Sequence, residues 1–520
     1  MSKFYEKVAY HDVEEDIQSQ KSVDKWIFLL LLLTIGFVPL IVMASVVEVQ
    51  SPLVTNVSAL AGGTKGDIFT HYKAIVMVVI TTLAGIMFMT KIIFMNGGIR
   101  KTKINYAVGA FAVAIVLSTI FSPNISIALH GQYNRSDGAI SWLCYLALFF
   151  ISMNINYPKK VLNYILYSLY PFVIINLYII IMNFYDKDLL QKTGVKKIVT
   201  LLLPADAHIG EDSILVGTLN QWNYMSGMFA IMTMLFLAAA LFEKNIVRSI
   251  IHMLIALLSL SIVFMSLSSS GFITIVLLLP FLIFYVFKSK IKKRSVLILS
   301  MFLIFSVPIF HTLATQVPKV WYETIGLIFK YNPYDIYIEP EETSYKFNSE
   351  GILSTKVYAA EKFELPVLPE RATSAGSGRV YIWSKGFELL KERPLLGYGL
   401  DTFMYNFPHY EIDARAGLYD EDIITDKPHS MYFSLLYGTG IIGFLCATLL
   451  IAMSLISSLK VVIKQNQTVI WVLGIAWGAY LIQAFFNDSL PGTSAVMWVI
   501  AGIMLAETYK NKEQLNGRDD

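Results

Sequence analysis

Residues 249–287 read SIIHMLIALLSLSIVFMSLSSSGFITIVLLLPFLIFYVF and contain no aspartate, glutamate, lysine or arginine. A bilayer core is roughly 30 Å thick and a helix rises about 1.5 Å per residue, so about 20 mostly apolar residues cross it. The stretch predicts two spans, 249–267 and 271–287. Ten further runs of the same kind lie on either side, at 26–48, 72–94, 104–121, 139–156, 161–184, 219–242, 295–313, 430–457, 469–486 and 494–509. They are too long and too evenly apolar for barrel strands, so the expected fold is an all-α integral membrane protein with about 12 transmembrane helices.

Composition agrees. Only 15% of residues are charged and 55% are hydrophobic, against about 25% charged in an average soluble domain. A net charge of +3, from 41 basic and 38 acidic residues, carries no polyanion-binding signature, so no nucleic-acid partner is expected. Cys144 and Cys446 both lie in apolar runs and form no disulfide framework.

Lysine and arginine set the orientation, because cytoplasmic loops carry their excess. Lys3 to Lys25, Arg100 to Lys103, Lys159 and Lys160, Lys244 and Arg248, Lys288 to Arg294, Lys460 and Lys464, and Lys510 to Arg518 fall on one side of the twelve-span pattern. That predicts N-in and C-in. The tail carries Glu6, Asp12, Glu14, Glu15 and Asp16, which is wrong for a cleavable signal peptide, so the first helix is expected to stay in the membrane. The organisation is a cytoplasmic tail over 1–25, spans 1–9 over 26–313, a large extracytoplasmic loop over 314–429, spans 10–12 over 430–509 and a tail over 510–520.

The 314–429 loop far exceeds the usual connection, and long loops are commonly functional. After Ser377, a candidate N-cap, Val380, Trp383, Phe387 and Leu390 recur at helical spacing before Pro394, which predicts an amphipathic helix at the membrane interface. The loop holds 18 acidic and 12 basic residues. An anionic ligand would therefore depend on a few placed arginines.

His429 follows Asp426, Lys427 and Pro428 and immediately precedes the tenth span. A histidine at the mouth of a bundle suits general-base work near neutral pH, although it can equally anchor a helix start. Arg135 and Arg379 are candidates to hold a diphosphate, since the guanidinium fork matches phosphate oxygens; Trp383 lies one turn from Arg379. Arg393 and Arg415 read as solvated charge. Asn220 and Asn223, at the start of the sixth span, either cap that helix or bind a sugar or phosphate. Tyr331, Tyr334, Tyr337 and Tyr345 stack on sugars or anchor at the interface. His252 reads as a packed histidine, and the Asp420-Glu421-Asp422 run as solvated acid. Gly397-Tyr398-Gly399 and Gly62-Gly63-Thr64-Lys65 lack the spacing of nucleotide-binding loops. No cluster has zinc spacing, and neither metal nor cofactor is expected.

Several separated motifs share a family resemblance. HGQYNRSDGAISWLCYL (130–146), GTLNQWNYMSG (217–227), GSGRVYIWSKGFELLKERPLLGYGLDTF (376–403), KPHSMYFSLLYGTGIIG (427–443) and AYLIQAFFNDSLPGTSAVMWVIAGIM (479–504) resemble, in order and topology, the O-antigen ligase and O-antigen polymerase superfamily of bacterial membrane glycosyltransferases. The resemblance implies a metal-independent, inverting transfer from a polyprenyl-diphosphate-linked oligosaccharide donor to a glycan, lipid or protein acceptor, on the extracytoplasmic face of the cytoplasmic membrane and in contact with membrane lipid. It assigns donor diphosphate contact to Arg379 and the acceptor to His429. Arg135, Asp137, Asn220, Asn223, Trp383 and Ser430 complete the expected substrate-binding set.

Three departures stand out. Ser270, in SLSSSGF (266–272), occupies a place where the family often has arginine, and Ser430 one where asparagine is common; residues 314–370 form an additional segment. Arg135 is the candidate substitute for the arginine missing at 270. Polymerase is slightly favoured over ligase or protein glycosylase. A transporter or flippase of the same lipid-linked glycan, or a non-catalytic scaffold of polysaccharide assembly, are the rival readings.

Overall fold

The computed structural model describes residues 13–49, 63–204, 207, 214–288, 291–329, 331–335, 379–409, 425–465 and 467–516. Ser377, Tyr337, Tyr345, Arg415, the acidic run at 420–422 and most of the 314–370 segment lie outside them.

Each of the twelve predicted runs falls on a helix: α1 (Val13–Gly36), α2 (His71–Phe94), α3 (Lys103–Ile120), α4 (Ala139–Asn154), α5 (Val161–Phe184), α6 (Trp222–Phe242), α7 (Ile246–Met265), α8 (Ser269–Lys288), α9 (Lys292–Gln316), α11 (Met431–Gln465), α12 (Thr468–Gln483) and α13 (Pro491–Asn516). The amphipathic α10 covers Arg379–Glu392. Ten of the twelve are long and apolar enough to cross a membrane by length and composition. The other two, α4 and α12, have 16 residues each, about 24 Å of helix. Their ends at Ala139 and Gln483 adjoin two polar connections, 131–138 and 484–490.

The first run departs from its expected bounds of 26–48. The helix starts thirteen residues earlier, at Val13, and gives way to a turn at Val38–Leu40. Pro39 cannot donate to a continuing helix, and the β-branched SVVEV that follows becomes β1 (Ser45–Val49), antiparallel to β2 (Gly63–Asp67) with Ser45 opposite Asp67. Among the described residues the all-α fold thus carries one small hairpin. Backbone bonds from Ala44 N to Val199 O (2.8 Å) and Met43 N to Ile68 O (3.1 Å) tie it down. Ala44, Phe69, Ile179, Leu190, Val199 and Leu215 pack beneath it.

At the centre stands α6, buried at every position from Tyr224 to Phe242, as expected of a helix that is apolar all round. It packs on α7, α8 and α12, while α13 packs on α4, α12 and α11. Trp142 and Trp477 meet Trp498 at 6.2 and 5.4 Å between ring centroids. Peripheral helices turn Ile75, Val79, Ile86, Leu297, Ile304 and Val307 outward; hydrocarbon is the solvent that suits such a surface.

One helix is broken. Within α11, Gly440 has φ 63° and ψ −171°, a conformation essentially restricted to glycine. The segment 394–399 docks into the break. Tyr398 N and Gly399 N donate to Tyr437 O (3.1 Å) and Gly438 O (2.8 Å), and Ile441 N and Ile442 N donate to Pro394 O (2.8 Å) and Leu395 O (3.3 Å). The glycine-rich pieces of PLLGYG and YGTGIIG are therefore complementary halves of one joint, and this joint fixes the loop that leads to α10. A Cβ on Gly440 would lie 2.3 Å from Leu395 O. Gly440→Ala is accordingly expected to destabilise the protein by about 1–3 kcal/mol from the backbone alone. Gly474→Ala, whose Cβ would meet nothing closer than Met504 Sδ at 3.6 Å, should leave the melting temperature of the detergent-solubilised protein unchanged or raised.

The amphipathic helix is present, but its face is rotated from the expected stripe. Ile382, Gly386 and Leu390 are buried, whereas Val380 and Phe387 are exposed. The cause is Gly386, which lets the Phe433 ring approach so closely that a Cβ there would lie 2.6 Å from it. Trp383 stacks on the same ring at 5.8 Å and 7°.

Candidate active site

Two connections at one end of the bundle meet under α10: the loop 425–430, which leads into α11, and the loop 484–490 between α12 and α13. Met431 N donates to both Ala484 O (2.9 Å) and Asn487 O (3.0 Å), locking them together. Ser430 reinforces the joint: its hydroxyl donates to Ala484 O (3.3 Å). Trp383 Nε1 donates to Pro428 O (2.7 Å), so α10 holds the residue before His429. His429 adopts φ 55°.

The His429 ring sits between two carboxylates. Nδ1 lies 3.6 Å from Asp488 Oδ2, and Nε2 lies 4.0 Å from Asp426 Oδ1. The His429 side chain is 34% exposed, whereas that of Asp488 is 1% exposed. Asp488 also accepts from Ser434 Oγ (3.0 Å) and Tyr224 OH (3.3 Å). Burial alone would raise its carboxyl, but His429, Lys427 and Arg135 outweigh burial and hold it well below the usual carboxylate range. It is therefore a fixed negative charge behind the imidazole.

Arg135 forms the second support. Its Nη2 pairs with Asp426 Oδ2 at 2.5 Å, and its Nη1 donates to Tyr224 OH at 3.1 Å. The guanidinium is buried, and its Nε is a buried donor with no hydrogen-bond partner among the described residues. Burial again works against the charged form of Asp426, yet Arg135 and His429 hold that carboxyl below its ordinary value. Arg135, Tyr224 and Asp488 thus form a continuous hydrogen-bonded run behind His429.

A second charged cluster lies alongside. Lys427 Nζ is 3.1 Å from Asp401 Oδ1 and 3.9 Å from Asp137 Oδ2, with all three side chains buried. Asp137 further accepts from Tyr145 OH (3.3 Å) and from Ser489 Oγ. Burial pushes the Asp137 carboxyl up to about 8, with Asp401 adding to it and Lys427 opposing. Lys427 is held above the ordinary lysine value because the surrounding carboxylates outweigh its burial.

Arg379, the first residue of α10, donates from Nη2 to Phe486 O at 3.1 Å. Burial lowers its pKa and nearby Asp488 partly restores it; an arginine nevertheless remains a cation. The two cavities against the charged clusters, lined by Tyr224, Asn487 and Asp488 in one and by Asp137, Asp401 and Lys427 in the other, measure only about 20 and 10 Å³. Each holds at most about one water. Access to the centre is therefore from the exposed edge of His429.

Of the residues expected from sequence, His429, Arg379, Arg135, Trp383 and Ser430 converge here, with Asp137 in the adjoining cluster. Asn220 and Asn223 make neither of the contacts foreseen for them in a helix cap: Gln221 is the N-cap of α6 and makes no side-chain cap. Asn220 Nδ2 donates to Asn134 O (2.9 Å). Asn223 accepts from Ser268 Oγ (2.7 Å) at its side chain and from Asn487 Nδ2 (3.2 Å) at its carbonyl. Both brace the loops around the site. Ser270 is buried at the start of α8, its carbonyl accepting from Gln483 Nε2 (2.7 Å).

Outside the centre, Arg393 donates to Phe121 O (2.9 Å). Tyr334 bonds His311 Nδ1 (3.0 Å), and Tyr331 is exposed. His252 is packed against Tyr170, with a 2.8 Å contact to its hydroxyl.

Sequence reasoning missed Asp488, Tyr224, Asp401 and the structural use of Asp426 and Lys427. The signal was an ionisable residue in FFNDSLPG, between two apolar runs with no other charge nearby, where a buried charge points to a site. Among the described residues, no group of three or more histidine, cysteine or carboxylate side chains is arranged to hold a metal ion.

No curated protein matches the chain. A family model described as O-antigen ligase matches residues 254–448, less than half of the chain. The matched stretch runs from within α7 to within α11 and contains Arg379, Asp426, Lys427 and His429. Over this stretch the chain is similar to the O-antigen ligase family.

Proposed function

We propose that the protein is an inverting glycosyltransferase that moves or polymerises a polyprenyl-diphosphate-linked glycan on the extracytoplasmic face of a bacterial cytoplasmic membrane. The observation that carries this reading is His429, one-third exposed at the end of a membrane bundle and backed by the buried Asp488 at 3.6 Å. In the proposed reaction an acceptor hydroxyl loses its proton to His429 as its oxygen attacks the anomeric carbon. The bond from that carbon to the diphosphate oxygen breaks, and the polyprenyl diphosphate leaves with the electron pair. Asp488 stabilises the imidazolium that forms, and Asp426 limits its rotation.

Arg379 binds the diphosphate and stabilises its developing charge, which removes the need for a divalent ion. Arg135 was the other candidate for that task. Its two terminal nitrogens are engaged by Asp426 and Tyr224, so its role in this proposal is to position Asp426 and His429. Trp383 and Ser430 position the same segment, while Asn220, Asn223 and Asp137 hold its walls. Polymerisation is favoured over ligation or protein glycosylation because the additional 314–370 segment suits the handling of a glycan chain.

Arg379→Ala is expected to lower transfer by about 10²- to 10³-fold, the usual consequence of losing one charge-stabilising donor. Full transfer of a lipid-linked oligosaccharide by this variant would remove Arg379 from the mechanism. A flippase reading calls for ionisable groups at mid-depth. In α2 the buried ionisable residues lie toward the helix ends: Lys73 follows its start by two residues, and Lys91 precedes its end by three, pairing at 2.5 Å with Asp24 of α1. This supports chemistry at one face over passage through the bundle.

A further inference from the structure

The loop 131–138 serves two sites. Arg135 and Asp137 enter the charged clusters, whereas Tyr133 and Asn134 line a separate cavity of about 540 Å³ against the β1–β2 hairpin. Tyr133 also lines a cavity of about 760 Å³ with Tyr405 and Glu48 and one of about 520 Å³ with His71 and Ile140. The Tyr133 hydroxyl is pushed up by burial and, secondarily, by Asp426.

The first cavity has the chemistry of a carbohydrate site. Among its described lining residues the only charged ones are Lys65 and Asp67. Asp67 is fully engaged at the start of α2, where its carboxylate accepts from Phe69 N (3.0 Å), Thr70 N (2.8 Å) and His71 N (2.7 Å). Among the described residues no arginine lines it, and Lys65 and Asp67 offset each other, which suits a neutral ligand better than a diphosphate. The other polar lining groups are Tyr133, the Asn134 amide, the Thr64 hydroxyl, the Asn220 amide, which donates to Asn134 O (2.9 Å), and the Ser45 hydroxyl, which donates to Asp67 O (3.3 Å). Asn134 Oδ1 is shielded from solvent and accepts no hydrogen bond within the described protein, although a buried acceptor without a donor is costly. Turning the Asn134 amide toward the cavity would let a sugar hydroxyl satisfy it, and the Tyr133 ring would stack on the apolar face of that sugar. Ala44, the residue before β1, donates to Val199 O (2.8 Å), and Phe69 at the foot of the hairpin packs with Ile179 of α5, which gives the wall a fixed position.

We propose that the hairpin cavity is a sugar-binding subsite that holds one unit of the transferred glycan through Tyr133 and Asn134, away from the bond being made. The proposal rests on the glycan-transfer reading for the origin of the sugar, which is either the lipid-linked donor or the acceptor chain. Short lipid-free oligosaccharides released from the producing cell's own polysaccharide provide the probe, titrated by saturation-transfer NMR against the full-length protein in nanodiscs. Wild type and His429→Asn are expected to bind equally. Tyr133→Ala and Asn134→Ala should each weaken binding about three- to tenfold, and Tyr133→Phe, which keeps the ring, should bind like wild type; melting temperatures verify that each variant is folded. In turnover, Tyr133→Ala should raise KM for the donor lipid if the donor supplies the sugar, and KM for the acceptor if the acceptor does. Absence of binding to wild type, or equal binding by wild type and both alanine variants, overturns the subsite. Glycan binding without any transfer would sink the transferase reading and leave the subsite standing.

Discussion

His429→Asn is expected to lower kcat by about 10²- to 10⁴-fold, the range supplied by a positioned general base, with little change in melting temperature. Asparagine is the informative substitution because the residue sits at φ 55°. Asparagine tolerates this left-handed conformation better than alanine does, so the variant removes the base without adding backbone strain. The ring itself is 34% exposed and makes no contact shorter than 3.6 Å to its two carboxylates; the fold does not hang on it. Asp488→Asn should also depress kcat, since a neutral amide cannot stabilise the imidazolium. Unlike His429, Asp488 is buried and receives Ser434 and Tyr224, so this second variant is expected to lose stability as well. Turnover of a lipid-linked oligosaccharide by the purified variants measures the first effect; unchanged kcat in His429→Asn would refute the assigned role.

Lys427→Ala should give the largest loss of stability, about 3–5 kcal/mol, because it strands a buried charge. The ammonium lies 3.1 Å from Asp401, whose other carboxylate oxygen accepts from Gln132 N at 2.7 Å. Asp401 therefore links the loop 131–138 to the loop before α11 through Lys427. Combining Lys427→Met with Asp401→Asn should recover part of the loss, since replacing both members of a buried pair costs less than removing one. Chemical denaturation in detergent tests this: a double variant less stable than Lys427→Met would show that the pair is not the source of the effect. Because Lys427 lies two residues before His429, the single variant should lose activity in parallel with stability.

Much of this architecture was legible in the sequence. Spans announce themselves because each must satisfy its own backbone in hydrocarbon, and all twelve runs became helices. The first run misled at its end, where the apolar Val46, Val47 and Val49 continue the hydropathy although Pro39 has already stopped the helix; hydropathy alone does not separate a β-branched strand from a span. The break at Gly440 was hidden for a different reason. It requires the partner segment 394–399, more than forty residues away, to satisfy the freed groups.

The site was legible in part. His429 and Arg379 stand out as polar residues at the boundaries of apolar elements. The carboxylates did not, because Asp401, Asp426 and Asp488 come from three separate connections and acquire meaning only when those loops meet. Asp426 in particular reads as one more acid in a loop with an acidic excess, yet it carries the Arg135 ion pair.

The most direct test of the account is a reconstituted assay in which the full-length protein in nanodiscs is given a polyprenyl-diphosphate-linked oligosaccharide of the producing cell, labelled in its sugar, together with its acceptor. The account predicts a new glycosidic bond and stoichiometric release of polyprenyl diphosphate by wild type, with both reduced at least about 10²-fold in His429→Asn and Arg379→Ala. Movement of the labelled lipid across a liposome membrane with no glycosidic bond formed, or full transfer by both variants, would contradict it.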